Sequence, residues 1–251
     1  LGSAFNTPAS LIYGAAANVA GPLINRSAIQ AAYNGTSARQ IAAIYAYQQT
    51  VLRAYVEGYL LPGEPTREAA LHAMALAKEA GAGSIDLMPP ENWPTLKKHG
   101  LHCAMVSNPT GKTPQGVSVG GINKGWNRVE HHDKLVSAYE QRLQETAAAG
   151  YERLICFSGN RAGLDDETGL KNCAVGLKRI LPLAEKRGIT LVMELLNSRV
   201  NHKDYQCDKS AWGVALCKAI GSERFKLLYD IYHMQIMEGD VIATIQRDHQ
   251  Y

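Results

Sequence analysis

The sequence contains no CxxC pair, no glycine-rich phosphate loop, no long apolar run and no strong charge of either sign. Its five cysteines (Cys103, Cys156, Cys173, Cys207 and Cys217) are scattered, and Cys103 and Cys156 sit inside apolar runs, where cysteine behaves as a small hydrophobe. They read as free thiols, which fits a reducing, cytoplasmic compartment. The net charge of +3 arises from 26 basic and 23 acidic residues spread in both signs, so no basic stripe marks a nucleic-acid partner. No apolar stretch approaches the roughly 20 residues that cross a bilayer, which excludes a membrane-spanning helix. The first 50 residues lack Asp, Glu, Lys and His altogether. That segment has neither the basic start nor the apolar centre of a secretory signal. It reads as an alanine-rich extension over 1–60, partly helical, with export or an organellar destination left open.

The remaining composition is that of an ordinary globular domain: 46% of the 251 residues are hydrophobic, enough for one sizeable core. From Ala80 onward, short apolar runs alternate with segments of helical period. "SIDLM" (84–88), "LHCAMVS" (101–107), "RLICFSG" (153–159), "TLVMELL" (190–196) and "FKLLYDI" (225–231) read as buried strands. Leu135, Tyr139, Leu143 and Ala147 share one helical face that stops at Gly150. Cys173, Leu177, Ile180, Leu181 and Ala184 make a second such stripe before Gly188. Asp208 is expected to cap a third helix carrying Trp212, Leu216 and Ile220 and closed by Gly221. Upstream, the spacing predicts a helix over 38–59, opened by the Ser37–Gln40 capping box, and another from Thr66 to Gly81.

Strand–helix alternation of this kind builds a parallel sheet covered by helices. The last three strands start about 36 residues apart, a spacing shared by barrels and doubly wound sheets. No GxGxxG or GxxxxGK[ST] occurs, which tilts the choice towards a barrel over 61–251.

Two carboxylates stand where composition alone would not put them. Glu194 ends Leu191-Val192-Met193 and Asp230 ends Leu227-Leu228-Tyr229, each at the carboxyl end of an expected buried strand. That edge is where barrels and open α/β sheets build their sites. A carboxylate buried there needs a cation, donors or water. A divalent ion shared by both would meet that need, and oxygen ligands suit Mg²⁺ or Mn²⁺; capping of the next loop's amides is the alternative. His233 follows Asp230 by three residues and can face the same mouth. Asn160 and Arg161 follow the strand at 153, where Arg161 reads either as a clamp for a substrate carboxylate or phosphate or as a solvated loop residue. The 108–131 loop, with Trp126, Asn127 and Arg128, is long enough to be a lid. His131-His132-Asp133 opens a helix, where Asp133 reads as a cap or first-turn acid rather than a metal ligand. Met234, Ile236 and Met237 read as packing.

Four stretches in order, "ENWPTLKKHGL", "CFSGNRAGLDDETGLKNC", "LVMELLNS" and "KLLYDIYHMQIMEGDVI", resemble the hydroxypyruvate isomerase family within the xylose-isomerase-like barrel group. The resemblance covers roughly 84–251. It implies a TIM-type (β/α) barrel and an isomerase interconverting an α-hydroxy ketone and an α-hydroxy aldehyde, such as hydroxypyruvate and tartronate semialdehyde. On that resemblance Glu194 is a metal ligand and an acid/base residue, Asp230 a second ligand, and His233 a hydrogen-bond partner of the substrate oxygens, with Asn160, Arg161 and Asn197 as further substrate contacts. The family carries two more βα units, with a third ligand and a second acid/base glutamate, after the stretch that ends here at Tyr251. The barrel is therefore expected to be incomplete at its C-terminus. The partner implied is a small molecule, with a homo-oligomer left open. A ketose 3-epimerase, or a non-catalytic barrel that binds carbohydrate or a protein, is the alternative.

Overall fold

The computed structural model describes residues 74–251 apart from Leu76 and Ala80. The extension at 1–60, the helix over 38–59 and the Thr66 cap lie outside the described residues. Two compact units are present, 74–85 with 94–102 and 86–93 with 103–251.

In the first unit a helical segment ends at Gly81, whose φ of +85° suits a residue without Cβ. Ala82 donates its N–H back to Ala77 O at 3.0 Å. Ser84 then forms a single parallel bridge with His102, and Leu96 and Leu101 are buried.

The second unit holds the expected βα succession. After helix α1 (Trp93–Lys98), which crosses the boundary between the units, β1 (Gly111–Lys112) and β2 (Ser118–Val119) form a short antiparallel ribbon. There follow α2 (His132–Ala149), β3 (Arg153–Cys156), α3 (Asp166–Arg187), β4 (Thr190–Glu194), α4 (Ser210–Ile220), β5 (Phe225–Leu228), α5 (Ile231–Met237) and α6 (Val241–Asp248). The strands β3, β4 and β5 pair in parallel in that order, with Leu154 opposite Leu191 and Leu191 opposite Phe225. The apolar runs are buried as expected: Leu154, Ile155, Cys156, Leu191 and Met193 expose nothing. Each large apolar side chain so buried contributes about 1.5–3 kcal/mol relative to exposure. Glycines at the ends of α2, α3 and α4 take φ of 77°, 69° and 73°, the left-handed stop read from the sequence.

Three expectations need correction. The runs at 84–88 and 101–107 supply isolated bridges instead of strands. Leu87 at φ +59° leaves the extended region, and the chain bends at 104–105, so only Val106 pairs with β3, through Leu154. Asp208 does not cap α4: the cap residue is Lys209, without a side-chain hydrogen bond. Glu238 does the capping from beyond α5, accepting from Ser210 N at 2.9 Å and Oγ at 2.6 Å. The 108–131 loop is no free lid at its inner end. Trp126 and Asn127 donate N–H to Phe157 O and Ser158 O at 3.2 and 2.7 Å, and both side chains are buried. Gly125 makes this approach possible, since a Cβ there would run into the Phe157 carbonyl.

All five cysteines are free and buried. Among the described residues no helix is long and apolar enough to cross a membrane.

Candidate active site

Parallel pairing sends the carboxyl ends of β3, β4 and β5 to one edge. Register sets Glu194, the last residue of β4, opposite Leu228 of β5, and Asp230 comes two residues later. The chain turns there into α5, and Asp230 caps it by accepting the His233 N–H at 3.1 Å. This one-turn link folds the His233 ring back towards the carboxylate, placing Nε2 4.0 Å from Asp230 Oδ2. Glu194, Asp230 and His233 thus each present one potential ligand atom within 4.8 Å of the others. The sequence expectation that these three residues share a mouth matches this arrangement.

The electrostatics of the trio are unbalanced. Among the described residues no Lys or Arg pairs with the Glu194 carboxylate, and burial, followed by the negative charge of Asp230, pushes its carboxyl up to about 7. His233 shifts the other way: burial lowers it, and nearby His202 adds to this against the opposing pull of Asp230. Two carboxylates beside an imidazole, without a counter-charge among the described residues, form a donor set that fits a hard divalent cation. Glu194 and Asp230 are the residues that would hold it. Among the described residues no further His, Cys, Asp or Glu joins this group.

The other expected site residues take supporting positions. Asn197 is fully buried. Its Oδ1 accepts the N–H groups of Val200 and Asn201 at 3.0 and 2.9 Å, and its Nδ2 meets Asn201 Oδ1 at 2.9 Å and His233 Nδ1 at 2.6 Å. With every bonding group engaged inside the protein, its expected direct substrate contact is replaced by support of His233. Arg161 is also an internal brace rather than a substrate clamp. Its guanidinium pairs with Asp208 at 2.9 Å and Asp166 at 3.2 Å and donates to the carbonyls of Tyr205 and Gln206. Asn160 bridges to Tyr205 through its backbone, and its buried Oδ1 accepts no hydrogen bond from the described residues. His131 and His132 point at the carbonyls of Gly125 and Trp126 at 3.0 and 2.9 Å, consistent with their structural reading. Met234 and Met237 are buried packing residues.

Sequence reasoning missed His202 and Tyr205. His202 packs edge-on against His233, with ring centroids 5.2 Å apart. Buried Tyr205 donates to Glu194 O at 3.0 Å and accepts the Ser158 N–H at 3.1 Å, tying the end of β4 to the loop after β3. Both lie just past β4, the criterion that singled out Asn160 and Arg161 after β3. A cleft of about 530 Å³ opens at the end of β3, bounded by Asn108, Asn123, Lys124 and Phe157 among others.

Comparison with known proteins follows the same lines. The profile of the family described as "Xylose isomerase-like TIM barrel" matches residues 74–251. A putative hydroxypyruvate isomerase of Mus musculus is 23% identical over 201 residues, 74% of this chain and 67% of that protein. A 2-oxo-tetronate isomerase of Cupriavidus necator is 37% identical over 65 residues, 26% of this chain. The match spans only 25% of that isomerase's length. The crystal structure of an AP endonuclease, family 2, from Brucella melitensis superposes with a TM-score of 0.58 at 24% identity, covering 70% of this chain and 69% of that one. It shares the fold.

Proposed function

The chain belongs to the xylose isomerase-like TIM-barrel family, and on that premise we propose that it is an isomerase moving a proton between adjacent carbons of an α-hydroxy carbonyl compound. The observation that carries this reading is the convergence of Glu194, Asp230 and His233 within 4.8 Å of one another at the shared edge of β4 and β5. A carboxylate at such an edge, beside an imidazole, suits general-base chemistry.

In the proposed reaction Glu194 takes the proton from the carbon that bears the hydroxyl group. The electron pair left behind forms the carbon–carbon double bond of an enediolate, and the carbonyl oxygen takes up the negative charge. Return of that proton to the former carbonyl carbon, with passage of the hydroxyl proton from the neighbouring oxygen to the former carbonyl oxygen, completes the exchange of ketone for aldehyde. His233 donates to the oxygen on which charge builds, through Nε2. A divalent ion, Mg²⁺ or Mn²⁺, held by Glu194 and Asp230 would polarise the two substrate oxygens and make the C–H more acidic. Hydroxypyruvate and longer 2-oxo acids are the leading substrates, since the similar isomerases of mouse and Cupriavidus carry those names. Five buried free thiols suit a cytoplasmic setting.

The test is turnover of a panel of hydroxypyruvate, four-carbon 2-oxo acids and ketoses with added Mg²⁺ or Mn²⁺. Conversion of a 2-oxo acid that is lost in Glu194→Gln supports the reading. Conversion of ketoses alone moves the assignment to an epimerase or ketose isomerase.

A further inference from the structure

The hydrogen bonds around Asn197 decide which nitrogen of His233 carries its proton. Two backbone N–H groups, from Val200 and Asn201, converge on one end of the Asn197 amide at 3.0 and 2.9 Å. Only an oxygen can accept both, so the other end is the NH₂ group. That NH₂ lies 2.6 Å from His233 Nδ1 and 2.9 Å from Asn201 Oδ1. Facing a donor, Nδ1 must present its lone pair. In a neutral imidazole the proton then sits on Nε2, the nitrogen turned towards Asp230. The ring has little freedom to escape this arrangement. It is buried and flanked by the rings of His202 and Tyr232, with centroids 5.2 and 5.1 Å away.

We propose that Asn197 is a positioning residue that holds His233 in its Nε2–H tautomer, making it a hydrogen-bond donor to the substrate and keeping it out of the metal's coordination shell. A histidine that ligates a metal through Nε2 normally donates its Nδ1–H to a carboxylate or carbonyl, which frees the Nε2 lone pair. His233 has the opposite environment, with a donor at Nδ1 and its Nε2 lone pair replaced by a proton. Distance alone would admit all three members of the trio as ligands; the hydrogen-bond pattern divides them into two carboxylate ligands and one donor. The substrate half of this assignment rests on the function proposed above, while the tautomer does not.

The tautomer is read directly from long-range ¹⁵N–¹H spectra of the labelled full chain, with the His233 signals identified by their loss in His233→Gln. The expected spectrum is that of the Nε2–H form. Titration with Mn²⁺ alone gives the second readout: His233→Gln should leave affinity within about twofold of the parent, because His233 is no ligand, whereas losing a true ligand or its partner costs 10- to 100-fold or more. Asn197→Asp replaces the NH₂ with an acceptor while retaining an oxygen for the two backbone N–H groups. It should shift the proton to Nδ1, open Nε2 to the ion and tighten Mn²⁺ binding by about tenfold or more, a gain that a second His233→Gln substitution removes. An Nδ1–H spectrum for the parent chain, or a tenfold loss of Mn²⁺ affinity in His233→Gln alone, overturns the proposal. If Asn197→Asp does not fold, those two measurements still decide it. An Nε2–H spectrum in a chain that turns over no substrate would remove the proposed function and leave the tautomer assignment standing.

Discussion

Replacing Glu194 with glutamine should stabilise the metal-free chain at alkaline pH and not at acid pH. The reason is the unbalanced charge at the strand edge. Burial and Asp230 raise the Glu194 carboxyl from the ordinary 4.5 to about 7. The folded chain therefore holds this proton more tightly than the unfolded chain does. Between about 4.5 and about 7 the folded state binds more protons, so this group's contribution makes stability fall as pH rises, and the full cost is present above about 7. A displacement of that size corresponds to about 3 kcal/mol. Glu194 is only half-buried, and solvent screening reduces the expected cost to about 1–2 kcal/mol. In a chain of this length that is a melting-temperature difference of about 3–6 °C. The assay is thermal unfolding of the parent and Glu194→Gln chains at pH 5 and pH 8, in chelator and then in Mn²⁺. At pH 8 in chelator the variant should melt higher, and at pH 5 most of that difference should be gone. Saturating Mn²⁺ should reverse the order at pH 8, since ion at about a hundred times its dissociation constant stabilises the parent by about 2.7 kcal/mol. Identical pH dependence of the two chains, or an equal Mn²⁺ response, would refute the reasoning.

Other positions make narrower predictions. Arg161→Met should cost about 3 kcal/mol in urea unfolding, because among the described residues it leaves the buried Asp208 carboxylate with the Ser198 hydroxyl as its remaining hydrogen-bond partner; a loss under about 1 kcal/mol would mean the brace is dispensable. Glu238→Ala removes the acceptor for Ser210 N and Oγ at the start of α4 and should cost about 1 kcal/mol. Gly125→Ala drives a methyl group into the Phe157 carbonyl and should cost about 2 kcal/mol or more, with tryptophan fluorescence reporting the displacement of Trp126.

The strand-end acids were legible in the sequence for a simple reason: a carboxylate that closes an apolar run is costly unless something meets it, and parallel strands deliver such residues to one edge. Helix ends were legible too, because Gly150, Gly188 and Gly221 can take a left-handed conformation after an apolar stripe. The partners that define the site's chemistry were not. Asn197 lies 36 residues from His233, and its role depends on the backbone after β4 curling so that two N–H groups meet one amide oxygen. Arg161 looked free for a ligand because Asp208, 47 residues away, is brought to it only by the fold. Asp208 looked like a helix cap for the complementary reason: Glu238 reaches the start of α4 from 28 residues downstream, and short-range pattern carries no sign of that. The runs at 84–88 and 101–107 had strand composition, yet the left-handed Leu87 and the bend at 104–105 limited them to single bridges.

The central claim is that Glu194 moves a proton between adjacent carbons of the substrate. Its most direct test is deuterium incorporation into hydroxypyruvate, followed by proton NMR in D₂O with Mg²⁺ and compared with the enzyme-free rate. The parent chain should place deuterium on the carbon bearing the hydroxyl group, and Glu194→Gln should slow that exchange by at least about 100-fold. Exchange that persists undiminished in Glu194→Gln, or a parent chain that exchanges no faster than buffer, would contradict the claim.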